Sequence, residues 1–180
     1  MGDPNDAAGR TRGRREIHSG SVGRFGVEEV DLPNGRRVSL EILRHPGAAA
    51  VVPIHPDGSI TLIRQYRHAA GGTIWEIPAG KLEPGEAPAH CALRELAEEA
   101  GLAGVLTPLL PLFTTPAFTD EVIHLFAARE LRGVPLALED DEVIEPVRLP
   151  REEVDRMIRA GEIRDGKTIV GILLAWRLAD

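Results

Sequence analysis

"GKLEPGEAPAHCALRELAEEAGL" occupies Gly80–Leu102. Pro88 is tolerated in a first helical turn and Gly101 is a natural stop, so a helix is expected from about Ala87–Pro88 to Gly101. At about 100° per residue, Leu93, Leu96 and Ala100 gather on one side. Glu95, Glu98 and Glu99 gather on the other, Glu95 and Glu99 one turn apart. The apolar side is expected to pack on a sheet while the acids face outward together. Like charges at this spacing are mutually unfavourable in a helix. One reading is a solvated face on which the repulsion is tolerated. The other is a hard divalent cation, because Mg²⁺ takes carboxylate and water oxygens and is poorly served by a single acid.

Outward from this stretch, the chain has 180 residues, 43% hydrophobic and 27% charged, which fits one domain with a small appendage. A formal net charge of −7 argues against a nucleic-acid partner, which needs basic surface. It leaves room for a phosphate-bearing ligand, since bound cations turn an acidic site attractive. The lone Cys91 has no disulfide partner within the chain, which points to a reducing cytoplasm. No apolar run approaches the roughly 20 residues that span a bilayer, so no membrane partner is expected. Residues 1–16 are polar and Gly/Arg-rich and are expected to form a disordered tail.

"GRFGVEEVDL" and "RRVSLEILRH" flank Pro33-Asn34-Gly35, a strong hairpin signal, so residues 17–45 are expected to form a small antiparallel unit. Residues 46–180 then form the main domain. "AAAVVPI" (48–54) and "ITLIRQYR" (60–67) are expected to pair with each other across His55–Gly58. "TIWEIP" is a short strand leading into the opening stretch. "VIHLFAARE" and "VIEPVRL" are further strands, "LEDDE" (138–142) an acidic loop, and helices follow Pro150 and span roughly Thr168–Leu178. The expected class is α+β, a mixed sheet with helices packed on it.

The spacing decides between the two readings of the acids. Gly80, Glu86, Arg94, Glu95, Leu96, Glu98, Glu99, Gly101 and Leu102 reproduce G-x5-E-x7-R-E-U-x-E-E-x-G-U, with U aliphatic. A chance match is below about one in a hundred million per start position. The stretch thus resembles the signature box of the Nudix hydrolases. Further along, "EIPAGKLEPGE", "RQYR", "TPAFTDE" and Pro116 resemble the ADP-ribose pyrophosphatases and related nucleoside-diphosphate-sugar hydrolases, although Ala117 stands where that branch has glycine.

The resemblance implies an αβα sandwich and an enzyme using Mg²⁺, with Mn²⁺ as a substitute, to hydrolyse ADP-ribose to AMP and ribose 5-phosphate. It implies metal ligands at Glu95, Glu99, the Ala79 carbonyl and an acid of the 139–142 loop, with Glu98 bridging or outside them. Glu142 is the first choice for catalytic base, with Asp140 and Glu139 as alternatives. Gly80, Glu86, Arg94 and Gly101 shape the box, Arg94 reaching Glu98. Arg64 and Arg67 are expected on substrate, and Glu76 either accepts a base or ribose hydrogen bond or braces its strand. Phe25 either stacks on the adenine of a partner subunit in a homodimer or packs within its hairpin. Two rivals remain: a hydrolase of another nucleotide sugar such as GDP-mannose, and a non-catalytic ADP-ribose sensor.

Overall fold

The elements follow from the turn glycines and from strands whose alternate residues face opposite ways. A computed structural model describes residues 9–138 and 143–177. By its contacts the chain divides into two units, residues 1–46 with 113–121, and residues 47–112 with 122–180.

The first unit holds three antiparallel strands in the order β1-β2-β3: β1 (Arg10–Ser19), β2 (Arg24–Asp31) and β3 (Arg37–Arg44). The hairpin forms at Asn34-Gly35, where Gly35 takes φ 80°. Two expectations change here. Residues from Arg10 onward are not an irregular tail, because β1 pairs along its length with β2 and Arg12 bonds Asp31. Nor is the unit one continuous segment. Residues 113–121 join it through Phe118, whose carbonyl accepts from Leu43, and through Asp120, whose carboxylate accepts from the His45 N–H at 2.8 Å and from Arg44 at 3.1 Å. Burying Glu28 at 3% exposure is offset by the same Arg44.

The second unit contains two sheets. One has the order β7-β4-β9-β8, from β4 (Ala48–Pro53), β7 (Ala79–Lys81), β8 (Leu102–Phe113) and β9 (Val122–Gly133). It is mixed, since β4 runs parallel to β9 and antiparallel to β7. The other has the order β10-β5-β6, from β5 (Ile60–Arg67), β6 (Gly72–Glu76) and β10 (Ile144–Leu149). The expected ladder between 48–54 and 60–67 is therefore absent among the described residues, apart from a single bridge from Ile54 to Ile60. β4 is buried throughout and β5 over Ile60–Ile63, so there both faces are covered, and β4 takes both of its partners, and β5 one, from distant chain.

β4 divides the core by its alternation. Ala49 and Val51 face α1 (Pro88–Ala100), packing with Cys91, Ala92, Leu96, Phe126 and Ala128. Ala48, Ala50 and Val52 face the other way, onto a cluster that includes Val154 and Met157 of α2 (Arg151–Arg159) and Ile172 and Trp176 of α3 (Gly166–Arg177). A sheet between helical layers is the αβα sandwich. No helix among the described residues is long and apolar enough to cross a membrane.

Candidate active site

α1 begins with Pro88 in its first turn and ends at Gly101, whose φ of 63° suits glycine and whose N–H bonds the Ala97 carbonyl at 3.1 Å. Its buried residues are Cys91, Ala92, Glu95, Leu96, Glu99 and Ala100. On a wheel turning about 100° per residue these six fill a single arc, and Glu99 lies near its centre. The acids thus do not all face outward: Glu95 is 6% exposed and Glu99 1%, whereas Leu93 is 38% exposed. On the same wheel Leu93 lies about 20° beyond Ala100, at the edge of the buried arc.

What receives the two acids is strand β7. The Ala79 N–H donates to Glu99 Oε2 at 2.8 Å. Backbone groups alternate sides along a strand. Val51 bonds the Pro78 carbonyl at 2.9 Å on the β4 side, so the Ala79 N–H and carbonyl both point away from β4. Gly80 then explains the first position of the motif. A β-carbon there would overlap the Glu95 carboxylate, so only glycine lets that acid lie against the strand.

Arg94 resolves much of the repulsion. Its guanidinium donates to Glu86 Oε1 at 3.1 Å, Glu95 Oε1 at 2.7 Å, Glu98 Oε2 at 3.0 Å and the Lys81 carbonyl at 3.3 Å. Glu86 also accepts from the Glu83 N–H at 3.0 Å. The Arg94 bond, followed by this backbone bond, holds the Glu86 carboxyl below its ordinary range. Glu86 and Arg94, expected to shape the stretch, make these contacts within it. Cys91, buried beside them, has its thiol pushed up to about 12 by burial and then by the Glu95 charge, so it is a packing residue and no nucleophile.

A second network lies on β5, β6 and α3. Glu76 is 3% exposed and takes both ends of the Arg67 fork, at 3.1 and 2.8 Å, with Lys167 Nζ 3.1 Å away. Burial works against the Arg67 charge, but the Glu76 bond and the fields of Glu76, Glu99 and Asp165 outweigh it and raise its pKa. Lys167 was not anticipated. A signal existed: a lysine in the first turn of an apolar helix opposes the helix dipole and calls for an acidic partner.

The remaining candidates separate. Arg64 is an odd number of residues from Arg67 on β5 and so projects from the opposite face. There it bonds Glu145 at 3.1 Å and its guanidinium lies 5.5 Å from the Trp75 ring centre. Phe25 is half-buried on β2 in the other unit, its cross-strand neighbours His18 and Leu43. Glu139, Asp140 and Glu142 lie outside the described residues. No three side chains of metal-ligating type converge among the described residues. Glu95, Glu99 and the Ala79 carbonyl are nonetheless an all-oxygen set of the kind a hard divalent ion takes together with waters, and the missing Gly80 side chain is what lets the Glu95 carboxylate sit against β7. The donor set fits.

Residues 43–169 match the family described as NUDIX domain. The chain is 41% identical over 166 residues to the ADP-ribose pyrophosphatase of Bacillus subtilis (strain 168), covering 91% of this chain and 90% of that protein. It is also 41% identical over 160 residues to the methanol dehydrogenase activator of Bacillus methanolicus, covering 87% and 86%. A solved structure described as an ADP compounds hydrolase superposes with a TM-score of 0.80 at 21% identity, over 94% of this chain and 93% of the other, and supports the fold. The chain belongs to the Nudix family and is a Nudix hydrolase. Enzymes of this family generally use a divalent metal ion.

Proposed function

We propose that the enzyme hydrolyses the diphosphate of ADP-ribose to AMP and ribose 5-phosphate, with Mg²⁺ as its metal and Mn²⁺ as a substitute. One observation carries the reading: two carboxylates of one helix, Glu95 and Glu99, are buried against the backbone of Ala79 and Gly80. Two acids buried one turn apart on a helix suit a hard divalent cation, which takes carboxylate oxygens and offsets the cost of burying their charge. The likeness to the Bacillus subtilis pyrophosphatase supports the choice of substrate.

In this reading Glu95, Glu99 and the Ala79 carbonyl hold the metal, with Glu98 at its margin and Glu142 completing the set. Divalent metal would supply charge neutralisation at the diphosphate and acidify water there. Arg94 keeps Glu95 and Glu98 ionised and in place. A carboxylate of the 139–142 loop, Glu142 first and Asp140 or Glu139 next, takes the proton from the attacking water. The water oxygen bonds to one phosphorus, the bond from that phosphorus to the bridging oxygen breaks, and the two monophosphates leave. Catalysis is then mainly positioning and charge stabilisation.

Arg67 contacts the nucleotide, and Glu76 serves as the brace of that arginine. Phe25 of a second subunit covers the adenine in a cytoplasmic homodimer. Hydrolysis of ADP-ribose in ¹⁸O-labelled water, with and without Mg²⁺, tests the reading. Metal-dependent AMP and ribose 5-phosphate, one of them labelled, support it. Faster turnover of GDP-mannose in the same panel would replace the substrate, and saturable binding without cleavage would replace the class.

A further inference from the structure

Lys167 lies in the first turn of α3 with its side chain 11% exposed, its Nζ 3.1 Å from Glu76 Oε2 and 3.0 Å from Asp165 Oδ2. Asp165 Oδ2 accepts in addition from the Thr168 N–H at 3.0 Å and the Thr168 hydroxyl at 2.6 Å. The Thr168 oxygen in turn accepts from the Ile77 N–H at 2.9 Å. Helix start and strand end are thereby clamped at one point, and Glu76, next to Ile77, is held from the helix side by Lys167 and from the strand side by Arg67.

The charges balance as two acids and two bases. Arg67 alone would neutralise Glu76, so the second cation has another consequence. An anionic ligand that approaches Arg67 competes with Glu76 for the guanidinium. A buried carboxylate left without a partner is strongly unfavourable. With Lys167 in place Glu76 stays compensated and stays oriented, and its two oxygens fix the plane of the Arg67 fork. Arg67 keeps 41% of its side chain exposed, so a rigid guanidinium is presented outward.

We propose that Lys167 is a positioning residue for substrate binding: it holds Glu76 from the α3 side and so locks the Arg67 guanidinium in the plane that meets the nucleotide. The inference rests on the reading of Arg67 as a substrate contact. Its sign is specific. Lys167 acts on affinity through Arg67 and leaves the chemical step at α1 alone.

The test is a cycle on the full-length, metal-loaded enzyme with ADP-ribose. Lys167→Met raises KM about tenfold, the scale of one oriented charged hydrogen bond, and leaves kcat within about twofold. Lys167→Arg restores most of the lost affinity. In an Arg67→Ala background Lys167→Met adds less than about twofold to KM, because the two act in one chain. An equal rise in both backgrounds, or a fall in kcat with KM untouched, overturns the proposal. A readout without substrate separates its failure from failure of the substrate assignment. In the unliganded protein, hydrogen exchange at Arg67 Nε speeds up about tenfold in Lys167→Met, while the Thr168 amide, held by Asp165, keeps its protection. Loss of protection at both sites marks a purely structural lysine and sinks the idea.

Discussion

Helices α1 and α2 both carry clustered charge and treat it in opposite ways. On α2, Arg156 pairs with Glu153 at 2.7 Å and Arg159 with Asp155 at 2.8 Å, all four side chains at least 40% exposed. Only Val154 and Met157 of that helix are buried. Such pairs are screened and contribute little. On α1 Glu95 and Glu99 enter the buried arc, and a single arginine gathers Glu95, Glu98 and the preceding Glu86 around it. α2 is charged because it faces water. α1 is charged although it faces the protein, and that difference is what marks a site.

The sharpest way to break this contrast is at Glu99. Glu99→Gln keeps the shape and the Ala79 bond but loses the charge, and turnover is expected to drop at least about a hundredfold, since even outer partners of metal ligands cost tenfold or more. Circular dichroism should show the fold intact, and normal turnover would remove Glu99 from the metal set. Next in size is Arg94→Ala. Leaving Glu86, Glu95 and Glu98 without their shared cation should cost about 2 kcal/mol, less than for a fully buried pair because Arg94 is partly exposed. Mg²⁺ should then raise the melting temperature more in this variant than in the wild type, because the metal replaces the missing charge. An equal metal-induced shift in both proteins would deny that Arg94 and the ion share the same acids.

A smaller effect is expected from pH. The Glu86 carboxyl is depressed below its ordinary value of 4.5, mainly by Arg94. A depressed carboxyl contributes stability that is full above that ordinary value and is lost as pH falls through the folded one. Thermal melts should therefore fall less steeply on the acid side of 4.5 in Glu86→Gln than in the wild type. Parallel curves would show that the pair is not linked to folding. Smallest of all is Arg159→Ala on α2, where the melting temperature should move by less than about 2 °C and kcat/KM should not change. A larger change would mean that the α2 charges are more than a wetted face.

Much of α1 was legible in advance. Proline in its first turn and glycine at its end bounded it to within a residue at each end, and the spacing of Gly80, Glu86, Arg94 and the glutamates named the family. The Asn34-Gly35 hairpin was equally plain, because that turn depends on two adjacent residues. The burial of Glu99 was not legible, since a helical wheel shows which residues share a side but not which side the sheet takes. The partners of β4 and β5 were not legible for a similar reason: β4 and the Ile60–Ile63 half of β5 are buried on both faces, and an alternation that is absent cannot select a partner. Lys167 and Glu76 are 91 residues apart, beyond the reach of any local pattern.

By itself, then, the sequence determined the family, the limits of the acid-bearing helix and the chemistry of its side chains, because these depend on residue type and short spacing. Only the tertiary structure decided that Glu95 and Glu99 lie buried on β7, that Arg64 and Arg67 part company across a sheet, and that Lys167 meets Glu76. Those outcomes follow from which apolar faces cover one another, a choice settled by the packing of the whole chain.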